Sequence, residues 1–208
     1  MLTGLFFASV CRAEFQVNTH TSNEQKNAAI AMDEAGNFVV VWSSYLQDGS
    51  SNGIFGRLFD PNCGQLGEEF QLNTTSSGNQ TEPAVAMDAA AGFVATWQGP
   101  GLNEEDREDI FVQQFDPDGL PIGEEFRVNS LVDDQQRFPC VAFTNNGTFI
   151  VVWESSNTPL EGDKAICGQL YDSNGMESGA EFLVNAESAV SGCGCRCLRK
   201  LRRGLDGG

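Results

Sequence analysis

The sequence predicts an all-β protein: a β-propeller-like array of three four-stranded blades plus one extra outer strand. Three observations predict it. The 208 residues include 23 glycines and 15 phenylalanines, and their short apolar runs are separated by Gly, Asn and Asp, a rhythm of strands and turns rather than helices. A unit then recurs along the chain, with Phe15, Phe70, Phe126 and Phe182 at steps of 55, 56 and 56 residues. Finally, all three tryptophans, Trp42, Trp97 and Trp153, fall at one position of that unit. Self-similarity at a fixed period marks stacked units, none of which can bury its apolar faces alone.

Each unit opens on the pentapeptide EF-x-[VL]-N, which ends at Asn18, Asn73, Asn129 and Asn185. A recurring glutamine follows (Gln25, Gln80, Gln136), and then the second strand candidate: AAIAMD at Ala28, PAVAMD at Pro83, PCVAFT at Pro139. Its small residues suit a crowded central channel, so it is placed innermost. The third candidate, NFVVVWSS, GFVATWQG or TFIVVWES, is apolar on both faces, as a strand between two layers must be. The fourth, GIFGRLFD, DIFVQQFD or AICGQLYD, runs into the turns DPNCG, DPDG and DSNG, and Gly67, Gly123 and Gly179 close the units.

Four strands with one fixed Trp make a propeller blade, with the pentapeptide outermost and the Trp sandwiched between neighbouring blades. Complete blades then span 28–74, 83–130 and 138–186. The organisation is a leader or weak signal-like segment 1–13, a three-repeat β domain 14–190 and a disordered Cys/Arg-rich tail 191–208. Within the domain lie repeats 14–68, 69–124 and 125–180, with a closing strand 181–186. A β-trefoil, also three units of four strands, is the alternative, though it leaves the fourth pentapeptide superfluous. Propellers generally need four to eight blades. The first pentapeptide, at Glu14, therefore lacks a blade of its own, and further repeats or self-association would complete a ring.

Charge limits the partners. Net charge is −17, and the last sixteen residues hold five of the twelve basic residues and one of the 29 acids, leaving a remainder of net −21. Such a body repels nucleic acid, and no run reaches the roughly 20 apolar residues of a membrane-spanning helix. Calcium is the cofactor the acids raise. D-x-[DN]-G echoes the start of a calcium loop, but the rest of that loop is not kept across the copies, and Asp-Gly turns between apolar runs are ordinary hairpin chemistry. The acidic loops LQDGSSNG, GLNEEDRED and LEGDK differ in length; GLNEEDRED is the best single cation candidate.

The sequence nominates no catalytic, cofactor-binding or metal-binding residue. His20, the lone histidine, has no Ser or Cys partner beside it and reads as a loop residue. Asp33 and Asp88 end inner strands, yet Thr144 replaces them in the third copy, so they read as turn caps. Of the seven cysteines, Cys63, Cys140 and Cys167 sit at three different repeat positions, which excludes a repeated disulfide framework. Cys140 stands where other copies have Ala29 and Ala84 and is expected to be a small buried thiol. Cys193, Cys195 and Cys197 in the tail lack a fourth metal ligand. Asn73, Asn79 and Asn146 lie in N-x-[ST] sequons.

The combination EFQVNT, PAVAMD, GNFVVVWSS and GIFGRLFDPNCG resembles a repeat of very large secreted or surface proteins of bacteria, over about residues 14–186. The resemblance implies extracellular or cell-surface display and a protein or glycan surface as partner, and it carries no catalytic residue. DIFVQQFD, which loses the Gly of GIFG, and GLNEEDRED depart from it. The function expected is a non-enzymatic extracellular scaffold or adhesion module. The alternatives are a structural calcium-binding or carbohydrate-binding propeller and, behind these, a propeller hydrolase.

Overall fold

The computed structural model describes residues 14–101, 107–132, 135–144, 147–156 and 164–184. The leader, the tail with its three cysteines, Leu102–Asp106 of GLNEEDRED, Asn146 and the end of the closing strand lie outside them. Among the described residues there is no helix, and hence none long and apolar enough to cross a membrane.

The strands form three antiparallel meanders. The first is β1 (Gln25–Met32), β2 (Phe38–Tyr45), β3 (Asn52–Phe59) and β4 (Phe70–Gln71), paired in that order. The second is β5 (Thr81–Met87), β6 (Phe93–Pro100), β7 (Glu108–Phe115) and β8 (Pro121–Arg127). The third is β9 (Gln136–Phe143), β10 (Phe149–Ser155), β11 (Ala165–Tyr171) and β12 (Phe182–Leu183). No strand is shared between sheets, which excludes the trefoil. The pentapeptides at Phe70, Phe126 and Phe182 are the outermost strands, and β1, β5 and β9 are innermost, β1 lying against β5 and β5 against β9.

Two cores hold the sheets together, and both use the same pair of faces. Val39, Val41 and Ile54 of the first sheet pack on Phe93, Trp97 and Phe115 of the second. Val94, Ile110 and Val112 of the second pack on Phe149, Trp153 and Tyr171 of the third. Each sheet thus turns an aliphatic face to the next sheet and an aromatic face to the previous one. The period-2 alternation of β2, β6 and β10 does this, because successive side chains point to opposite faces. Every aromatic face carries one stacked pair: Phe38 on Phe59 at 5.0 Å, Phe93 on Phe115 at 4.7 Å and Phe149 on Tyr171 at 5.0 Å.

The outer pentapeptide of one sheet reaches over the stacked pair of the next. Phe70 lies 6.4 Å from Phe93 and 6.1 Å from Phe115, and Phe126 lies 5.4 Å from Tyr171. The first pentapeptide keeps that place without forming a strand: Phe15 sits 5.4 Å from Phe59, and Arg57 Nη1 donates to the Val17 carbonyl at 3.4 Å. Its side of the first sheet has no other sheet against it among the described residues.

Carboxylates clip consecutive pentapeptides together. Glu69 accepts the Thr19 N–H at 2.6 Å and its hydroxyl at 2.8 Å. Glu125 does the same to Thr74 at 2.6 and 2.9 Å, and Glu181 to Ser130 at 3.0 and 2.7 Å. The recurring asparagine has a separate duty: Asn73 Oδ1 accepts the Ile54 N–H at 2.7 Å and Asn129 Oδ1 that of Ile110 at 2.8 Å, each tying an outer segment to the third strand.

Two expectations change. Cys140 is an exposed free thiol, not a buried one, because its side chain points away from the second sheet while the alternating Val141 is buried. Cys167 is the buried thiol, and Cys63 is disulfide-bonded. Asn73 is also no glycan acceptor in the folded chain, being 3% exposed with its amide committed to Ile54 and Thr75.

Candidate functional site

Two clefts lie at opposite ends of the inner strands. At the C-terminal ends, Met32, Asp33, Glu34, Met87, Asp88 and Phe143 are among the residues lining a space of about 550 Å³. The aspartates there are occupied. Asp33 accepts the Asn37 N–H and its side-chain amide, both at 2.8 Å, and Asp88 accepts the N–H groups of Ala90 at 2.8 Å and Gly92 at 3.0 Å. Burial acts to raise the Asp33 carboxyl, but the Asn37 amide and the backbone N–H groups of Asn37, Gly36 and Ala35 outweigh it and hold the carboxyl below the usual range. That is the opposite of a general acid. Thr144 closes the third turn on Thr148, so all three positions cap the β-hairpin turn after an inner strand.

The second cleft, of about 500 Å³, opens at the other end, where the β2–β3 and β6–β7 loops and the β4–β5 connection converge. Ser51, Ser77, Asn79, Arg107, Glu108 and Arg137 line it, with Pro100 and Gly78. Gly78, at φ +82°, is needed because a Cβ there would meet Pro100 Cγ at 2.3 Å. Behind the lining runs a polar network: Arg137 Nε donates to Glu108 Oε2, Gln98 Nε2 donates to Glu108 Oε1 at 3.0 Å, and Gln98 Oε1 accepts the Phe138 N–H at 3.0 Å. It bridges the second and third sheets. Among the described residues Arg137 donates through its Nε–H, shared between Glu108 and Gln135, and its side chain lines the cleft.

This cleft absorbs part of the loop read as a cation candidate. Arg107, Glu108 and Asp109 belong to GLNEEDRED, and the two acids are committed within the chain. Asp109 is 1% exposed, accepts from Asn129 Nδ2 at 2.7 Å and lies 3.6 Å from Arg127 Nη1. In LQDGSSNG, Asp48 accepts the Ser50 N–H at 3.0 Å. The turn aspartates likewise serve their own backbone: Asp60 Oδ1 accepts from Asn62 and Gly64, Asp116 Oδ1 from Asp118 and Leu120, and Asp172 Oδ1 from Asn174 and Met176. Among the described residues no cluster of three or more His, Cys, Asp or Glu is placed to hold a metal ion. His20 is half-buried in the first connection, its N–H 3.4 Å from Glu69. The residues the sequence reading missed are Arg137 and Arg107. The available signal was their type: they are two of the few basic residues outside the tail.

The sequence matches no protein-family model and no curated protein sequence. Its fold is shared with solved structures. A Hadza microbial sialidase aligns with a TM-score of 0.52 at 11% identity, over 76% of this chain and 37% of its own. An endo-arabinase from Bacteroides thetaiotaomicron gives 0.49 at 15% identity, over 76% of this chain and 61% of the enzyme, so the chain spans less than two thirds of either. A fucose lectin from Kordia zhangzhouensis, in complex with methyl-fucoside, gives 0.43 at 12% identity, over 77% of this chain and 99% of the lectin. At these identities the likeness establishes the propeller-like fold and no activity. One expectation is corrected: the matching structures are named for a sialidase, an arabinase and a sugar lectin, and the non-enzymatic scaffold or adhesion reading does not stand.

Proposed function

We propose that the chain is a carbohydrate-binding propeller segment, displayed outside the cell as the resemblance of its repeat implies. The observation that carries this reading is the cleft of about 500 Å³ around Arg137, within the size range of small-ligand sites. Sugars present hydroxyls that donate and accept, beside apolar C–H faces. The lining answers both: Nη donors of Arg137, the hydroxyls of Ser51 and Ser77, the Asn79 amide, and the ring of Pro100.

Binding is favoured over hydrolysis by the state of the carboxylates. Glycoside hydrolysis commonly uses two carboxyl groups about 5–9.5 Å apart, one of them raised in pKa. Among the described lining residues Glu108 is the one carboxylate, and Arg137 and Gln98 already hold it.

A glycan array followed by calorimetry tests the reading. Wild type is expected to bind a neutral or acidic oligosaccharide at micromolar to millimolar concentration, and Arg137→Ala to weaken it about tenfold or more, the loss of one good polar anchor. Absence of binding across the array, or binding untouched by Arg137→Ala, would sink it. Release of reducing sugar on the same substrates would favour the hydrolase instead.

A further inference from the structure

The cleft at Arg137 gathers positive charge in an acidic chain. Five of the twelve basic residues lie in the last sixteen, so the remainder carries seven against 28 acids. Two of those seven, Arg107 and Arg137, line the cleft together with one acid, Glu108. The cleft at the opposite end of the inner strands is lined by Asp33, Glu34 and Asp88 and, among the described residues, by no Lys or Arg. Glu108 is already committed, its Oε2 accepting from Arg137 Nε and its Oε1 from Gln98 Nε2 at 3.0 Å. Gln98 is buried and its Oε1 accepts the Phe138 N–H at 3.0 Å, so the carboxylate that orients the Arg137 guanidinium is itself held from behind. The Arg137 side chain nevertheless keeps 42% of its surface exposed.

The groups facing a ligand are weighted towards donors. A guanidinium has N–H donors and no acceptor. Asn79 Oδ1 already accepts from Asn52 Nδ2 at 2.6 Å, so the amide nitrogen is what Asn79 offers. The hydroxyls of Ser51 and Ser77 can do either. A sugar hydroxyl wants a donor and an acceptor, whereas an ionised carboxylate or sulfate oxygen only accepts. Hydrogen bonds between ionised partners are also roughly twice as strong as neutral ones. We infer that the ligand of this cleft is an acidic sugar, its carboxylate or sulfate held by the guanidinium groups of Arg137 and Arg107 and its ring hydroxyls met by Ser51, Ser77 and Asn79. The inference rests on the carbohydrate-binding reading above and names the substrate class of that same site.

Matched pairs of glycans test it on the full chain, each uronate oligosaccharide against its methyl ester and each sulfated oligosaccharide against its unsulfated form. Calorimetry is expected to show the charged member of a bound pair at least about tenfold tighter than the neutral one. That gap should shrink severalfold when salt rises from about 0.05 M to about 0.5 M, as screening requires. Whether the uronate or the sulfated pairs show the gap identifies the anionic group. Arg107→Gln, with circular dichroism to confirm the fold, should narrow the gap severalfold and leave the neutral member bound as before. Lys164→Gln removes a positive charge that does not line the cleft and should leave the gap intact. Equal binding of charged and neutral members overturns the inference while the carbohydrate-binding reading stands. A gap untouched by Arg107→Gln, or narrowed as much by Lys164→Gln, overturns it too, because the attraction then belongs to the chain as a whole or to other residues. No binding to any glycan of the set sinks the reading itself, and the inference with it.

Discussion

Phe15 rests on Phe59 with ring centroids 5.4 Å apart, although the pentapeptide that carries it pairs with no strand. The contact repeats what Phe126 does to Tyr171 at the same 5.4 Å, two units further on. The placement of this segment is thus dictated by the sheet it lies on, not by a strand partner. Arg57, buried beneath it, donates to Gly67, Gln65 and Val17, where the equivalent Gln113 and Gln169 reach only within their own sheet. One non-repeated cation therefore anchors the one pentapeptide without a sheet.

Phe70 and Phe15 should differ in energetic weight. Phe70 sits half-buried among Phe93, Phe115 and the core between the first and second sheets, whereas Phe15 is 43% exposed. Phe70→Ala is expected to cost about 3 kcal/mol, the low end for large aromatic truncations, and Phe15→Ala about 1 kcal/mol. Urea unfolding of the two variants checks the order; equal costs would mean that Phe15 is as deeply seated as its counterpart.

Two carboxylates held low in the folded chain, Glu69 and Asp172, predict an acid-sensitive fold. Burial acts to raise the Glu69 carboxyl, but the Thr19 N–H, the Gln47 amide, the Thr19 hydroxyl and the His20 N–H outweigh it and hold the carboxyl low. The Asp172 carboxyl is held low first by the Met176 N–H and then by that of Asn174. A folded pKa below the unfolded one, ordinarily about 4 for such groups, gives stability that is present above the unfolded value and lost as pH falls through the folded one. Wild-type stability should accordingly drop between about pH 5 and pH 3. Glu69→Gln should start lower at pH 7 and decline less steeply, which denaturation series at several pH values would reveal.

Much of this architecture is legible in the sequence, for a physical reason. The repeat dictates which residues share a face, and the Trp step places Trp97 and Trp153 between sheets because both strand faces there are apolar. The turns are equally legible, since Asp60, Asp116 and Asp172 each bind N–H groups two and four residues on. Less visible is the irregularity at the start of every inner strand, where Asn27, Glu82 and Phe138 take φ of 55°, 51° and 53°. Asn, Glu and Phe share no local preference for that conformation, so the register shifts beside them, imposed by pairing with β2, β6 and β10, are tertiary in origin. The cleft at Arg137 escaped because its residues come from three sheets and break the repeat.

Gly119 is the turn position where substitution is most informative. It has φ +80°, and a Cβ there would lie 3.1 Å from Phe70 Cζ and 3.2 Å from Leu58 Cδ1. Cys63 occupies the equivalent place at φ 64°, so a side chain is tolerated there only at the expense of left-handed strain. Gly119→Ala should destabilise by about 1–2 kcal/mol, combining that strain with the crowding of Phe70. An unchanged urea midpoint would show that the Phe70 ring and the turn relax freely.

Asn129 and Asn73 hold the same repeat position and the same backbone N–H, yet their removal should not cost the same. Asn73→Ala leaves the Ile54 N–H without its acceptor, and its weaker contact to Gln80 is at 3.5 Å. Asn129→Ala leaves the Ile110 N–H in that state and also strips Asp109, 1% exposed, of its 2.7 Å donor, with Arg127 at 3.6 Å as the remaining counter-charge. An orphaned buried donor costs about 1–3 kcal/mol, and a buried carboxylate losing its hydrogen bond costs more. Asn73→Ala is thus expected at about 1–2 kcal/mol and Asn129→Ala at about 3 kcal/mol or above. The double variant Asn129→Ala/Asp109→Asn should recover part of the difference, since it removes the stranded charge; a double-mutant cycle in urea measures that coupling, and strict additivity would show that Asp109 does not depend on Asn129.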